Sequence, residues 1–291
     1  SGGTAEYYIT LPSPPVICSV RPNLTWGTGN FAGPSNIWNP NKGFLTQSTN
    51  PSSYDRNFPT TGSDGLYFDL DIVGIDTTQL TWSSVAHGGV TATVTVVAAN
   101  DRWIPSVDRG KRVARVTLNG PEARSQWNNN NPSRITVPSL PQTFELVGRD
   151  SSGNAVVKYG FVLRQWFVHR GAHSKTYSDQ LAWCNSLGYR MPRVRDLTNA
   201  ECGVDNAWFP CINGIDGAVP SSSGNNYMRH IGAGFFTEWG YLNYYADAGF
   251  ANDYFWASDA TGSGQFNVNS TNGNVNSLSA SNSRYGVCTA P

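Results

Sequence analysis

One stretch of the sequence, residues 177–197, restricts the possible folds more than any other part of the chain. Thr176 is a good helix N-cap, and Asp179 three residues later completes a capping-box pattern. Residues then recur at helical spacing, with Tyr177, Leu181 and Cys184 on one stripe and Gln180, Trp183 and Leu187 on the adjoining stripe. Gly188 follows where a helix needs a left-handed C-cap. The pattern predicts a short amphipathic helix that ends at this glycine.

A tight connection to a second helix follows the first. Arg190-Met191-Pro192 predicts an extended turn, because the residue before a proline avoids the α-helical region. Residues 193–197 then predict a second short helix. Since Cys184 lies inside the first helix, it can anchor that helix covalently to a distant part of the chain.

This arrangement resembles the C-type-lectin-like fold. The matching residues are Trp183-Cys184, Gly188-Tyr189-Arg190-Met191-Pro192, Asp196-Leu197 and Tyr285-Gly286-Val287-Cys288. The resemblance covers residues 161–291. It implies that a C-terminal strand is bridged back to the first helix, and therefore a disulfide between Cys184 and Cys288.

The C-terminal part of the chain is also similar to the last hairpins of the bacterial branch of that fold. The matching stretches are residues 255–259, residues 265–268 and Asn272-Gly273. More narrowly, the whole chain resembles the C-terminal tip of an enterobacterial adhesin of the invasin and intimin family. This resemblance implies an immunoglobulin-like domain fused rigidly to a terminal lectin-like domain.

Five cysteines in a β-rich chain without metal-type C-x-x-C spacing are typical of disulfides and of an oxidising compartment. With Cys184 and Cys288 assigned by the resemblance, we expect Cys202 to pair with Cys211 in a small local loop. Cys18 is left over. We expect it to be a buried free thiol, and the alternative is that it pairs with a partner or an upstream domain.

Residues 1–160 predict an immunoglobulin-like β-sandwich with long N-terminal loops. Segments at 66–72, 90–97, 112–118 and 143–148 alternate apolar and polar residues, as half-buried strands do. The Cys–Trp–Cys core of antibody domains is absent, so only the bacterial, disulfide-free version fits. The loops carry Trp26, Trp38, Phe44 and Phe58, and we expect them to be ordered because disordered segments are poor in aromatic residues.

The second domain, residues 161–291, begins without a linker. Residues 159–169, YGFVLRQWFVH, form one continuous β-type run across the boundary, with no spacer after the last sandwich strand. A shared strand of this kind predicts a stiff joint rather than a hinge.

The composition excludes some kinds of partner. Lys+Arg and Asp+Glu both number 20, so the net charge is zero and no basic face for nucleic acid is implied. No apolar run approaches the roughly 18 residues of a membrane helix, so we expect no direct membrane insertion. Ten tryptophans are more than two small cores need, and exposed aromatic residues in loops suggest recognition.

The sequence offers no catalytic constellation, and we expect no catalytic residue, cofactor or metal. His169 and His173 are four residues apart, but on a strand-to-loop transition that spacing does not place them on one face. The lectin-like fold is also used by formylglycine-generating enzymes, but every cysteine of the second domain has a plausible disulfide partner. The carboxylate triplets of calcium-dependent lectins are missing, and Trp256-Ala257-Ser258-Asp259 leaves a single carboxylate, so Trp256 is expected in the core.

The remaining candidate for function is residues 224–254, where lectin-like folds place their long variable loops. This segment is rich in aromatic residues, with Asp and Glu between them. We expect Phe235, Phe236 and Trp239 to lie mostly inside and the aromatic residues of 241–254 mostly outside. The predicted binding residues are Trp239, Tyr241, Asn243, Tyr244, Tyr245, Asp247, Asn252 and Tyr254.

The leading hypothesis is a monomeric receptor-binding tip of a bacterial surface adhesin, which binds a host-cell protein or glycan through its lectin-like head. A secreted regulator exported through an intimin-like barrel would use the same fold, and the two differ only upstream. An enzyme is the third hypothesis, and the missing constellation argues against it.

Overall fold

The computed structural model describes residues 2–7, 14–201, 217–262 and 264–291. Cys202 and Cys211, and therefore their predicted disulfide, lie outside the described residues. The first strands are β1 Val16–Arg21, β2 Trp38–Asn39, β3 Gly43–Leu45, β4 Thr61–Ser63, β5 Tyr67–Val73, β6 Thr81–Trp82, β7 Val85–His87 and β8 Val90–Ala98. They are followed by β9 Arg112–Asn119, β10 Gln142–Arg149, β11 Ala155–Leu163, β12 Gln165–His169, β13 Tyr254–Thr261, β14 Gly264–Asn269, β15 Val275–Leu278 and β16 Val287–Ala290. The helices are α1 Tyr177–Leu187, α2 Val194–Leu197 and α3 Phe235–Trp239.

The first half of the chain is a sandwich of two sheets. Within the described ranges, one sheet has the order β2-β3-β1-β5-β9-β8-β7 and the facing sheet has the order β11-β10-β6. Alternation along the strands sends one side chain in two to the interface, as the sequence predicted. Phe144 stacks on Phe161 at a ring distance of 5.2 Å, and Phe68 meets Phe161 edge-on at 6.0 Å. These rings form the centre of the sandwich core.

The second half is built around α1, whose predicted ends are confirmed. The Thr176 side chain accepts a hydrogen bond from the Asp179 N–H, and Gly188 ends the helix at φ 87°. The buried stripe of the helix is Gln180, Trp183, Cys184 and Leu187. Cys184 is bonded to Cys288 of β16, so the predicted disulfide is confirmed.

The predicted continuous strand over residues 159–169 is wrong, because two strands in different sheets replace it. β11 ends at Leu163 and pairs with β10, whereas β12 begins at Gln165 and pairs with β16 and β4. Only Arg164 separates them, and its N–H donates to the Thr60 carbonyl. A β-type run of residues does not reveal which neighbours its strands will choose, so the change of sheet was not predictable. The domain boundary at residue 160 stays a prediction.

Over residues 14–65, the N-terminal loops are ordered and join the two halves. β4, which belongs to these loops in sequence, pairs in parallel with β12 of the second half. Phe58 is fully buried, and its ring lies 4.9 Å from Phe44 and 4.9 Å from Trp239 of α3. The aromatic residues of the loops therefore form one core with the lectin-like half.

Cys18 is exposed and unpaired with any described residue, so the expected burial is wrong. The pairing register between β1 and β5 shifts between Ile17 and Ser19, which places Cys18 at a β-bulge. Ile17 and Ser19 are both buried, and Cys18 between them is turned outward. A bulge depends on strand pairing and has no signature in the local sequence here.

Candidate functional site

The predicted binding residues divide into buried and exposed groups. Trp239 is fully buried, as expected, and its Nε1 donates to the Thr61 carbonyl at 3.0 Å. Tyr245 was expected outside but is only 1% exposed, so that prediction is wrong. Its hydroxyl accepts from the Asn23 N–H at 2.7 Å and donates to the Trp239 carbonyl at 2.6 Å. Neither residue can touch a ligand directly, and both hold the site from beneath.

Tyr241 and Tyr244 remain at the surface and meet an arginine of the sandwich. Their rings stand edge-to-face at 4.1 Å, and the Arg102 guanidinium carbon lies 4.4 Å from the centre of the Tyr244 ring. Both tyrosines are half-buried, whereas Arg102 and Asn243 are exposed. We call Tyr241, Tyr244 and Arg102 the tyrosine–arginine cluster. It offers aromatic faces and a cation at the junction of the two halves.

The segment around this cluster is fixed from both sides. Asn23 of the N-terminal loops donates from its side chain to the Tyr241 carbonyl at 2.8 Å. Arg124 donates to the carbonyls of Asp247 at 2.8 Å and Ala248 at 3.2 Å. Residues 241–248 therefore lie against the sandwich and its loops. The functional surface that we predicted on the lectin-like head, in residues 241–254, stays a prediction.

The other predicted residues lie on different neighbours. Asn243 is exposed, and its side chain donates to the Phe250 carbonyl at 3.1 Å. Asn252 is also exposed and accepts from the Thr271 hydroxyl. Tyr254 is half-buried in β13, and its hydroxyl donates to the Asn274 side chain. Asp247 has an exposed side chain. The structure therefore does not gather all eight predicted residues into one patch.

Arg102 is the residue that the sequence analysis missed. It lies between Asp101, which accepts from the Tyr67 hydroxyl at 2.8 Å, and Trp103, whose ring lies 5.2 Å from the Tyr245 ring. Both neighbours are anchored, so Arg102 is presented outward from a fixed loop. The sequence did contain one signal: Arg102 stands beside Trp103 in the loop after β8, and tryptophan and arginine are both enriched at binding sites.

Beneath the segment, α3 carries a carboxylate that has no contact with solvent. Glu238 is fully buried and accepts hydrogen bonds from both the N–H and hydroxyl groups of Thr60 and Thr61 and from the Gly232 N–H. Burial raises the pKa of Glu238, and these hydrogen bonds act in the opposite direction. The carboxylate ties the loop before β4 to the lectin-like half.

His169 ties β12 to the other end of the same segment. Its Nε2 lies 2.7 Å from the Ala248 carbonyl, its Nδ1 accepts from the Gly171 N–H at 3.0 Å, and its ring stacks on Phe250 at 3.9 Å. A neutral ring with its proton on Nε2 satisfies both hydrogen bonds, whereas a second proton on Nδ1 would face the Gly171 N–H. Burial lowers the pKa of His169 to about 4, with Arg124 also lowering it and Asp64 raising it.

We expect acid to destabilise the protein through His169. Between pH 6.5 and pH 4 the unfolded chain binds a proton at this ring and the folded chain does not, so stability rises with pH across this window. The contribution lost between pH 7 and pH 4 is about 3 kcal/mol. Urea unfolding of the parent and of His169→Gln at both pH values measures it. The raised pKa of Glu238 makes its contribution to stability change with pH in the opposite direction, and it does so in both proteins. The quantity to compare is therefore the loss of stability between pH 7 and pH 4 in the parent and in His169→Gln. Equal losses in the two proteins would contradict the assignment to His169.

The described part of the chain holds no cluster of three or more His, Cys, Asp or Glu residues suited to a metal ion. Asp259, the carboxylate that the sequence analysis weighed for calcium, accepts a hydrogen bond from the Val194 N–H instead. Trp256 is in the core as expected. Among the described helices, none has the length and apolar character needed to cross a bilayer.

Comparisons with known proteins give matches at the level of structure. No protein-family model matches the sequence, and no curated protein matches it. The crystal structure of invasin, a bacterial integrin-binding protein, matches 95% of this chain at 14% identity and a TM-score of 0.51. The match covers 39% of the invasin chain, so this chain spans well under half of that protein's length.

Two intimin structures are also similar. The C-terminal 282-residue fragment of intimin, in complex with the intimin-binding domain of the translocated intimin receptor, matches 96% of this chain and covers 67% of that fragment. Its identity is 12% and its TM-score 0.47. An NMR structure of intimin from enteropathogenic E. coli matches 80% of this chain and covers 90% of that chain, at 15% identity and a TM-score of 0.38.

The invasin match confirms the predicted fold. The chain is mainly β and combines an immunoglobulin-like sandwich with a lectin-like part, as in the invasin fragment. The resemblance stated from the sequence is thereby confirmed as a likeness of fold.

Proposed function

We propose that this chain is the receptor-binding end of a bacterial surface adhesin, and that it binds a host-cell protein through the tyrosine–arginine cluster. The observation that carries this proposal is that Tyr241, Tyr244 and Arg102 lie at the surface while the residues beneath them are fixed. Tyrosine and arginine are enriched among the residues that dominate binding energies. In this proposal the chain is displayed on the bacterial cell surface or is part of a secreted protein.

Rigidity supports the proposal. A loop that is already ordered loses little conformational entropy when a partner binds, so more of the contact energy appears as affinity. Tyr245 holds the segment to Asn23 and Trp239, and Arg124 holds its far end. The cluster therefore enters a complex in the conformation that it already has.

The fold supports a protein as the partner. The similar chain of invasin is that of a bacterial integrin-binding protein, and the similar intimin fragment was determined with a receptor domain. An arginine stacked on a tyrosine also suits a protein surface, because it can pair with a carboxylate while the rings cover apolar area. The partner that we propose is a host surface protein with an acidic group beside an apolar patch.

Truncating one ring should weaken binding strongly. We expect Tyr244→Ala to cost about 2 kcal/mol, or roughly 30-fold in affinity, because it removes the ring that contacts both Tyr241 and Arg102. Arg102→Ala should have a similar effect. Flow cytometry of the labelled chain on cultured mammalian epithelial cells measures it, with thermal melts to check folding.

The matched control is Tyr7→Ala. Tyr7 is 89% exposed and makes no ring contact with another described residue, so its loss should leave binding unchanged. Protease treatment of the cells should abolish binding, and enzymatic removal of their glycans should not. If Tyr244→Ala and Arg102→Ala bind like the parent while Tyr7→Ala does too, the site lies elsewhere.

A further inference from the structure

A second exposed aromatic residue lies on the N-terminal loops, and its backbone is strained. Trp26 is 43% exposed and has a φ of 56°, in the left-handed region that residues other than glycine rarely adopt. A turn that needed only this backbone shape would be best served by glycine. The tryptophan therefore costs stability where it stands, and such strain is typically kept for a functional reason.

The residues on either side fix Trp26 in this conformation. Thr25 donates its N–H to the Asn23 side chain at 2.8 Å, and its carbonyl accepts from Arg229 at 3.2 Å. The Gly27 carbonyl accepts from Trp38 Nε1 at 2.8 Å, and a Cβ on Gly27 would lie 2.6 Å from the Trp38 ring. The exposed ring is thus held at a defined angle and does not swing on a loose loop.

The ring has aromatic support and free polar neighbours. It lies 5.2 Å from Phe31, whose ring stands edge-on at 5.9 Å to the buried Tyr227. Among the described residues, no hydrogen bond uses the Trp26 indole N–H, the Thr28 hydroxyl or the Asn30 side-chain amide. Thr28 and Asn30 are exposed. A ring face with unused donors and acceptors beside it is therefore open to a ligand.

The two chain segments that meet beside Trp26 contain no charged residue. Residues 22–41 contain no Asp, Glu, Lys or Arg, and neither do residues 217–228 on the neighbouring side, where the Asn226 side chain donates to the Asn30 carbonyl at 3.5 Å. Arg229, which follows the second segment, is fully buried, and the Glu201 carboxylate accepts a hydrogen bond from the Ser221 hydroxyl at 3.1 Å. The amides and hydroxyls of these two segments therefore give an acidic glycan no cation to pair with.

We propose that Trp26, with Thr28, Asn30 and Asn226, forms a subsite for a neutral saccharide. The apolar face of a sugar ring packs on the indole, and its hydroxyl groups exchange hydrogen bonds with the amides and the hydroxyl around it. Because the ring is already fixed, binding a weak ligand costs less conformational entropy. This subsite is independent of the tyrosine–arginine cluster, and either can fail without the other.

The test follows the indole N–H signal of Trp26 by NMR in the full chain. The probes are neutral oligosaccharides ending in galactose, glucose, mannose or N-acetylglucosamine, and sialylated oligosaccharides serve as the acidic comparison, all at millimolar concentration. We expect at least one neutral probe to shift this signal. Asn30→Ala, which removes a side chain with no described hydrogen bond, should weaken that binding at least threefold, and Tyr244→Ala should leave it unchanged.

Trp26→Gly separates folding from binding. Because glycine adopts a φ of 56° without strain, this variant should melt at a temperature no lower than the parent and bind the neutral probe at least tenfold more weakly, measured by ligand-observed NMR. The proposal is overturned if no neutral probe shifts the Trp26 signal, if the sialylated probes bind better, or if Trp26→Gly binds the sugar as well as the parent. The proposal is also overturned if the parent binds no sugar and Trp26→Gly loses only the binding of the host protein.

Discussion

Replacing both Cys184 and Cys288 with alanine should lower the free energy of unfolding by about 4–5 kcal/mol. The disulfide spans a sequence separation of 104 residues, so it removes much of the freedom of the unfolded chain. Both cysteines are fully buried, and the bond holds α1 against β16 in the centre of the lectin-like half. Urea unfolding of the double variant, followed by tryptophan fluorescence, measures the loss.

Cys18→Ala is the matched control for this experiment. Cys18 is exposed and bonded to no cysteine that the structure describes, so its replacement should change stability by less than about 0.5 kcal/mol. Reducing the parent protein should lower its stability by at least as much as the double variant, because reduction breaks Cys184–Cys288 and also the predicted Cys202–Cys211 bond. A double variant that unfolds within about 1 kcal/mol of the parent would mean that the unfolded chain is already held compact by other contacts.

The sequence was sufficient for features that depend on nearby residues. The ends of α1 could be placed because Thr176 and Gly188 act through their own backbone geometry. The sandwich strands could be placed because one buried face imposes alternation. The Cys184–Cys288 bond came from the resemblance, which identifies the partners without any geometry.

The sequence was insufficient where a residue's environment is set by distant parts of the chain. Tyr245 was expected outside because its neighbours are polar, yet its hydroxyl pairs with Asn23, more than 200 residues earlier. Arg102 also joins the cluster from a distant part of the chain, and no local pattern marks an arginine that will meet Tyr244. The same limit explains the break at Arg164, since the partners of β12 are chosen in three dimensions.

Glu238→Ala should also be strongly destabilising, by roughly 3–5 kcal/mol, because each buried donor left without an acceptor costs about 1–3 kcal/mol and such costs are not fully additive. The variant deprives the N–H and hydroxyl groups of Thr60 and Thr61, and the Gly232 N–H, of their acceptor. Thr60 and Thr61 are both at most 5% exposed, so water cannot easily replace the carboxylate.

The contrast with an exposed glutamate isolates the effect of burial. Glu122 is exposed and pairs with Arg124 at 3.6 Å, a contact of the kind that contributes little, so Glu122→Ala should cost less than about 1 kcal/mol. Glu238→Gln should fall between the two, since one amide oxygen can still accept while the amide NH₂ faces donors. Urea unfolding of the three variants at pH 7 gives the ranking.

Glu238 also bears on whether the two halves move as one body, which the sequence predicts because no spacer separates them. Its hydrogen bonds join Thr60 and Thr61, at the start of β4, to α3, and β4 in turn pairs with β12. If this carboxylate stiffens the joint, Glu238→Ala should increase the independent tumbling of the halves in NMR relaxation measurements, under conditions where the variant is still folded. The tyrosine–arginine cluster draws residues from both halves, so its affinity should fall in the same variant although Glu238 touches no ligand. A variant that is destabilised but still tumbles as one body, with unchanged binding, would mean that the remaining contacts, such as Phe58 against Trp239, suffice to hold the joint.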